Sequence, residues 1–146
     1  MALAEFQTIY FEDLSVGMRE TSRNQVTKEK VAAFADISGD HNPIHLDDAY
    51  ATTTPFGGCI AHGIFTASFV SAVIATRLPG PGAIYISQNL SFRAPVMIGD
   101  TVETTIEVLE LLERGRRVKL KCECRVGEKL VLSGEAEVKA TAKPSA

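Results

Sequence analysis

Asp40 and His45 are the side chains of this chain best suited to chemistry. They close the segment Phe34-Ala-Asp-Ile-Ser-Gly-Asp-His-Asn-Pro-Ile-His45, which is dense in titratable and turn-forming residues. A carboxylate and an imidazole held near one another suit general acid–base work, because burial and each other's charge set which of them carries a proton. Adding water to an activated alkene needs one group that takes a proton from water and one that delivers a proton to carbon, and the pair supplies both. Two readings of the loop stand side by side. Asp and Asn are also ordinary turn residues, and Asp40 in that role simply binds backbone amides.

A second element with chemical use is Ala61-His62-Gly63, at the start of a long apolar stretch. If that stretch is a helix, its first amides lack intrahelical partners and its dipole makes this end positive. The Gly63 amide is then placed to polarise a thioester carbonyl and to stabilise enolate charge on its oxygen. The plainer reading makes Gly63 a close-packing residue and His62 a hydrogen-bonded core or capping residue. Ser71 follows Gly63 by eight residues and falls within about 80° of the same helix face. It either reaches the acid–base pair or bonds back to its own helix. The histidines and acids here also raise the question of a metal, but Pro43 interrupts the helical spacing of His41 and His45, and no metal is expected. No Gly-Lys-Ser/Thr phosphate loop, dinucleotide fingerprint or Gly-x-Ser-x-Gly elbow is present, so kinase, dehydrogenase and serine hydrolase readings lack support.

These residues need a frame. Thr27 is the expected N-cap of a helix that carries Val31, Phe34, Ala35 and Ile37 at helical spacing and ends at Gly39. Gly39 permits a turn and Asn42-Pro43 breaks the helix, so Asp40 and His45 are expected on one irregular loop rather than on a helix. A helical turn is expected over Asp47–Thr52. His62 to Leu78 has no charge between Gly63 and Thr76 and is apolar nearly all round, which predicts a helix enclosed by other structure. Pro79-Gly-Pro-Gly82 stops it. The period then changes to that of strands. Ala83–Arg93 is strand-like, and Thr101–Leu112 alternates until a register slip near Leu109 that predicts a bulge or a change of face. Arg117–Val126 alternates cleanly, with Cys122 and Cys124 on its apolar face, and Leu130, Leu132, Ala136 and Val138 repeat the pattern after Gly127-Glu128. The economical packing is an α+β fold, a curved antiparallel sheet wrapped round the long helix, with open sheet edges that pairing into a dimer would satisfy.

The chain has 146 residues, a length that fits one domain with its own core; only the tail from about residue 142 is expected to fray. The net charge of −3 gives no electrostatic reason for a nucleic-acid partner. The one basic cluster, Arg114-Gly-Arg-Arg117, falls at an expected hairpin turn. Met1-Ala-Leu-Ala-Glu-Phe6 lacks the pattern of a secretory signal, and no apolar run is long enough to span a bilayer. Three cysteines make no disulfide framework, which favours a reducing, cytoplasmic setting.

The segment Phe34-x-x-Ile-Ser-Gly-Asp40-x-Asn42-Pro-Ile-His45, with Ala51 beyond it, resembles the hydratase-2 motif of MaoC-like (R)-specific enoyl-CoA hydratases. Ala61-His-Gly63, Leu78-Pro-Gly-Pro-Gly-Ala-Ile-Tyr85 and Leu90-Ser-Phe-Arg-Ala-Pro-Val96 with Gly99-Asp100 are similar to the short single-domain bacterial members linked to polyhydroxyalkanoate synthesis. The resemblance runs from about Val16 to Lys139. It implies a hot-dog fold, a homodimer or dimer of dimers, and reversible hydration of trans-2-enoyl-CoA to (R)-3-hydroxyacyl-CoA with no cofactor beyond the coenzyme A of the substrate. By position it implies that Asp40 and His45 activate water and shuttle its protons. Asn42 fixes the loop or the pair, the Gly63 amide forms the oxyanion hole, and Ser71 lies beside the site. His41 stands where an aromatic or apolar residue is frequent. The rival readings are a (3R)-hydroxyacyl dehydratase acting on carrier-protein thioesters, a hot-dog thioesterase, and a non-catalytic partner subunit. Arg93 is a candidate phosphate contact, with a solvated strand residue as the plainer reading.

Overall fold

The computed structural model describes residues 6–145; the N-terminal stretch read for a secretory signal lies, but for Phe6, outside them. Five antiparallel strands, β1 (Arg19–Gln25), β2 (Ile84–Phe92), β3 (Thr101–Leu112), β4 (Arg117–Val126) and β5 (Lys129–Lys139), form one sheet in the order β1-β3-β4-β5-β2. Four helices, α1 (Lys28–Ser38), α2 (Pro43–Leu46), α3 (Asp48–Thr52) and α4 (Gly63–Thr76), all lie in sequence between β1 and β2. The expected α+β arrangement is the one observed.

The alternation read in β4 is the alternation that packs: Val118, Leu120, Cys122 and Cys124 are fully buried, and β5 answers with Leu132, Ala136 and Val138. Both cysteines are small core residues, as their place on the apolar face implied. The slip expected near Leu109 is a bulge between Val108 and Glu110 in the pairing of β3 with β4. It keeps Val108 in the core and lets the outer end of the hairpin turn away. The Arg114–Arg117 cluster is that hairpin's turn, with Arg117 paired to Glu137 at 3.1 Å and Arg116 bonded to the Ala140 carbonyl.

Against the sheet, α4 buries Phe65, Thr66, Val70, Val73 and Ile74. Here the expectation of an enclosed helix needs correction. Gly63, Ile64, Ser68, Ser71, Ala72 and Ala75 are exposed, so one chain covers only one side of α4. The apolar residues on the open side are therefore not buried by this sheet. The strand that follows α4, β2, is also a sheet edge, and it exposes Ile84, Tyr85, Ile86 and Phe92. Open helix face and open edge carry apolar side chains alike.

The tail expected to fray from about residue 142 makes contacts through Lys143. The Lys143 amide donates to the Glu12 carboxylate at 2.5 Å and its ammonium lies 3.3 Å from Asp13, which ties the tail to the short 3-10 turn Phe11–Asp13. No helix among the described residues is long and apolar enough to cross a membrane.

Candidate active site

The first helix ends as its sequence directs. Thr27 accepts from the Lys30 amide at the N-terminus, and Gly39, at φ +80°, turns the chain out of α1 while its amide bonds the Ala35 carbonyl. Ser38 braces the exit from both sides: its hydroxyl donates to the Phe34 carbonyl at 2.7 Å and accepts from the Asp40 amide at 3.1 Å. Asn42 then does two jobs. Its amide donates to Asp40 Oδ1 at 3.2 Å, and its side-chain oxygen accepts from the Ile44 amide at 3.1 Å, capping α2. Pro43 sits at the first position of α2, where a missing N–H costs nothing. The expectation that both Asp40 and His45 lie on irregular loop is thus half right. Asp40 does, but His45 is on the single turn of α2, because an Asn cap before proline starts a helix as readily as it ends one.

His45 is held by its own ring. Nδ1 lies 2.7 Å from the carbonyl oxygen of Ile60, and a carbonyl only accepts, so Nδ1 carries the proton. Ile60 is in turn fixed by its amide bond to the Ile44 carbonyl at 3.2 Å and by a β-bridge to Met97. The second nitrogen, Nε2, faces Asp40 Oδ2 at 4.0 Å, with the histidine side chain 9% and the aspartate 52% exposed. That separation is too long for a direct hydrogen bond and fits a water that bonds both groups.

His62 is the residue whose importance sequence alone understated. It is the N-cap position of α4 but makes no capping bond. Instead its ring stacks on His45, with centroids 3.7 Å apart and planes at 26°, and its Nε2 lies 3.0 Å from the Asp40 carbonyl oxygen. Of the two roles read for it, hydrogen-bonded core residue or cap, the first is the one observed. A histidine opening an apolar helix directly before glycine was the available signal. Asp40, His45 and His62 also bring ligand atoms within 4.8 Å of one another. Near-parallel stacked rings do not aim their in-plane lone pairs at a common point about 2 Å from each, so the geometry suits a metal poorly.

Beyond His62, the α4 N-terminus meets the expectation for it: among the described residues the Gly63, Ile64 and Phe65 amides have no backbone acceptor, and the first intrahelical bond runs from the Thr66 amide to the His62 carbonyl. Gly63 borders a cleft of about 530 Å³ whose walls include Phe56, Ile60, Ile64, Phe92 and Val131. A side chain at Gly63 would start 2.7 Å from the Phe92 ring, so the bare glycine lets that ring pack this close, as the plainer reading of Gly63 expected. Asp40 and His45 do not line that cleft. His45 borders a smaller recess of about 140 Å³ with Lys28, Ala32, Leu46 and Cys59. Ser71 is not brought to the pair: it stands on the open side of α4 and makes no side-chain hydrogen bond to Asp40 or His45. Arg93 lies just past β2, lines the cleft and donates to the Ser133 hydroxyl at 2.9 Å.

Two ion pairs brace the surroundings. Lys28 and Asp48, 2.6 Å apart, join α1 to α3, and the Lys28 hydrogen bond together with the Cys59 thiol holds the Asp48 carboxyl below its usual range. Beside the site, His41 Nε2 meets Asp36 at 3.1 Å. That hydrogen bond, helped by the Gly39 backbone, raises the His41 pKa above its ordinary 6.5.

The family model described as a MaoC like domain matches residues 15–130. A 3-hydroxybutyryl-CoA dehydratase of Methylorubrum extorquens is 54% identical over 99% of this chain and 92% of its own. An (R)-specific enoyl-CoA hydratase of Rhodospirillum rubrum is 45% identical over 92% and 93%. Among solved structures, the unliganded R-hydratase PhaJ1 of Pseudomonas aeruginosa superposes with a TM-score of 0.90 at 42% identity, covering 93% of this chain and 88% of that one.

The His41–Asp36 contact yields a test with a definite sign. A raised folded pKa means the charged pair contributes fully below the ordinary value of 6.5 and is lost as pH rises through the folded value. An NMR titration of His41 should therefore show a midpoint above 6.5, and Asp36→Asn should bring it down toward that value. A midpoint that Asp36→Asn leaves in place would contradict the assignment.

Proposed function

This chain belongs to the MaoC-like family, and from that premise we propose that it is an (R)-specific enoyl-CoA hydratase that adds water reversibly to trans-2-enoyl-CoA. The observation that carries the reading is the 2.7 Å contact of His45 Nδ1 with the Ile60 carbonyl oxygen, from which the ring's tautomer follows. With its Nδ1 proton given to Ile60, the ring turns a lone pair toward Asp40 across a gap the size of one water. Water held there has a proton acceptor on one side and a second titratable group on the other.

The reaction then balances within the pair. The water oxygen bonds to C3 of the enoyl group and one water proton passes to the pair. Electron density moves from the double bond toward the thioester oxygen, where the free amide of Gly63 receives the developing enolate charge. The pair returns a proton to C2 and regains its starting state, leaving the 3-hydroxyacyl thioester. Asn42 holds Oδ1 of Asp40 so that Oδ2 is the oxygen turned toward His45. No cofactor is required, since the thioester itself activates the alkene.

The acyl chain is assigned to the cleft beside Gly63, whose Phe56, Ile64 and Phe92 suit a hydrocarbon. Arg93, on the rim of the same cleft, is the cation assigned to a coenzyme phosphate. The open side of α4 and the apolar edge of β2 are assigned to a second copy of the chain, giving a homodimer or a dimer of dimers. A cytoplasmic setting agrees with three free cysteines, each of them buried.

Two experiments follow. Purified protein should consume the ultraviolet absorbance of crotonyl-CoA and form the (R)-3-hydroxy product with no release of free thiol. Turnover of a carrier-protein enoyl thioester but not of the coenzyme A form would move the reading to a carrier-protein dehydratase, and thiol release would move it to a thioesterase. For the assembly, sedimentation equilibrium should give at least twice the chain mass, and Ile86→Asp on the β2 edge should yield monomer. A monomeric wild type would overturn the dimer.

A further inference from the structure

His62 is 3% exposed and is packed between two rings, Phe34 at 4.8 Å and His45 at 3.7 Å between centroids. Its Nε2 reaches the backbone oxygen of Asp40, and since that oxygen only accepts, Nε2 carries the proton. Nδ1 is buried with no hydrogen-bond partner, the only such side-chain nitrogen or oxygen among the described residues. A buried, unpaired acceptor is normally removed unless its ring serves a purpose. An apolar ring would fill this space without that penalty, so packing alone does not account for a histidine here.

The ring's contacts account for it. One bond ties it to the main chain of Asp40, one face covers His45, and the next residue in the chain is Gly63. Three parts of the proposed site come from three elements: the loop after α1, the turn α2, and the N-terminus of α4. Asp40 is half exposed and has no other tie to α4 among the side-chain hydrogen bonds of the described residues. Without the His62 bond, no side-chain hydrogen bond among the described residues joins the carboxylate loop to α4; its other ties run to α1 and α2.

We infer that His62 is a positioning residue for hydration: one imidazole sets the separation of Asp40 from His45 and registers both against the Gly63 amide. The inference rests on the hydratase reading. It touches neither water nor substrate; its effect is exerted through where Asp40 and His45 stand. A displacement of the order of 1 Å in such a pair costs about a hundredfold in rate, which sets the scale expected here.

The test compares two substitutions in the full chain with crotonyl-CoA, each checked for folding by circular dichroism. His62→Phe keeps an aromatic plate against His45 but has no N–H for the Asp40 carbonyl. It should lower kcat by about tenfold to a hundredfold, leave KM within about threefold and displace the pH profile of kcat. His62→Gln restores an N–H donor and should recover part of the lost kcat. A folded His62→Phe enzyme with kcat and pH profile like the wild type would overturn the inference. Should that variant not fold, nitrogen-15 NMR of the wild-type imidazoles decides it. The expected result is the proton of His62 on Nε2 and that of His45 on Nδ1, and a His62 proton on Nδ1 overturns it. Absence of hydration by the wild type would instead count against the hydratase reading, and the NMR result stands apart from that outcome.

Discussion

The carbonyl oxygen of Ile60 lies 2.7 Å from Nδ1 of His45, and most of the site's chemistry descends from that contact. An acceptor that cannot donate fixes the proton of the neutral ring on one nitrogen and leaves the other bare. The bare nitrogen faces Asp40 because α2 sets the ring's direction, and α2 starts where it does because Asn42 caps it and Pro43 occupies its first position. A second carbonyl, that of Asp40, treats His62 in the same way. Two main-chain oxygens thus orient two stacked imidazoles, and neither relies on a flexible side chain to do so.

The fold makes those carbonyls dependable. Ile60 is bridged to Met97, and the Ala61 amide bonds the Val96 carbonyl at 2.8 Å, so the chain entering α4 is pinned to the segment between β2 and β3. That segment leads into β3, which pairs with β1 on one side and β4 on the other. The sheet therefore supports the α4 end of the site, while the α1 end reaches it across a loop. Such an arrangement suits a reaction in which one amide must stay put and an acid–base pair must admit water.

Much of this was legible in the residues. Thr27 and Gly39 each mark a helix boundary by mechanism, and Leu109 marks the bulge by breaking alternation. The Asp40–His45 constellation was visible because its members are close in sequence. What the chain concealed was of two kinds. Stacking of His62 on His45 joins residues from separate elements, and no local periodicity reports such a contact. The open side of α4 escaped because hydropathy records that a face avoids water without saying whether its cover is the same chain or another. A residue type can be read for what it prefers, but the neighbour that meets the preference belongs to the tertiary structure. The short turn α2 shows a smaller version of the same limit: Asn-Pro ends one helix and caps the next with the same atoms.

The central claim is that Asp40 and His45 act as one acid–base unit on a shared water. The direct measurement is kcat for hydration of crotonyl-CoA by Asp40→Asn, by His45→Gln and by the double variant, each verified as folded. The account expects each single substitution to cost about a hundredfold to ten-thousandfold, and the double to cost little more than the worse single, since groups acting as a unit are not additive. A folded single variant that keeps its rate within about tenfold of the wild type, or losses that multiply in the double, would contradict it.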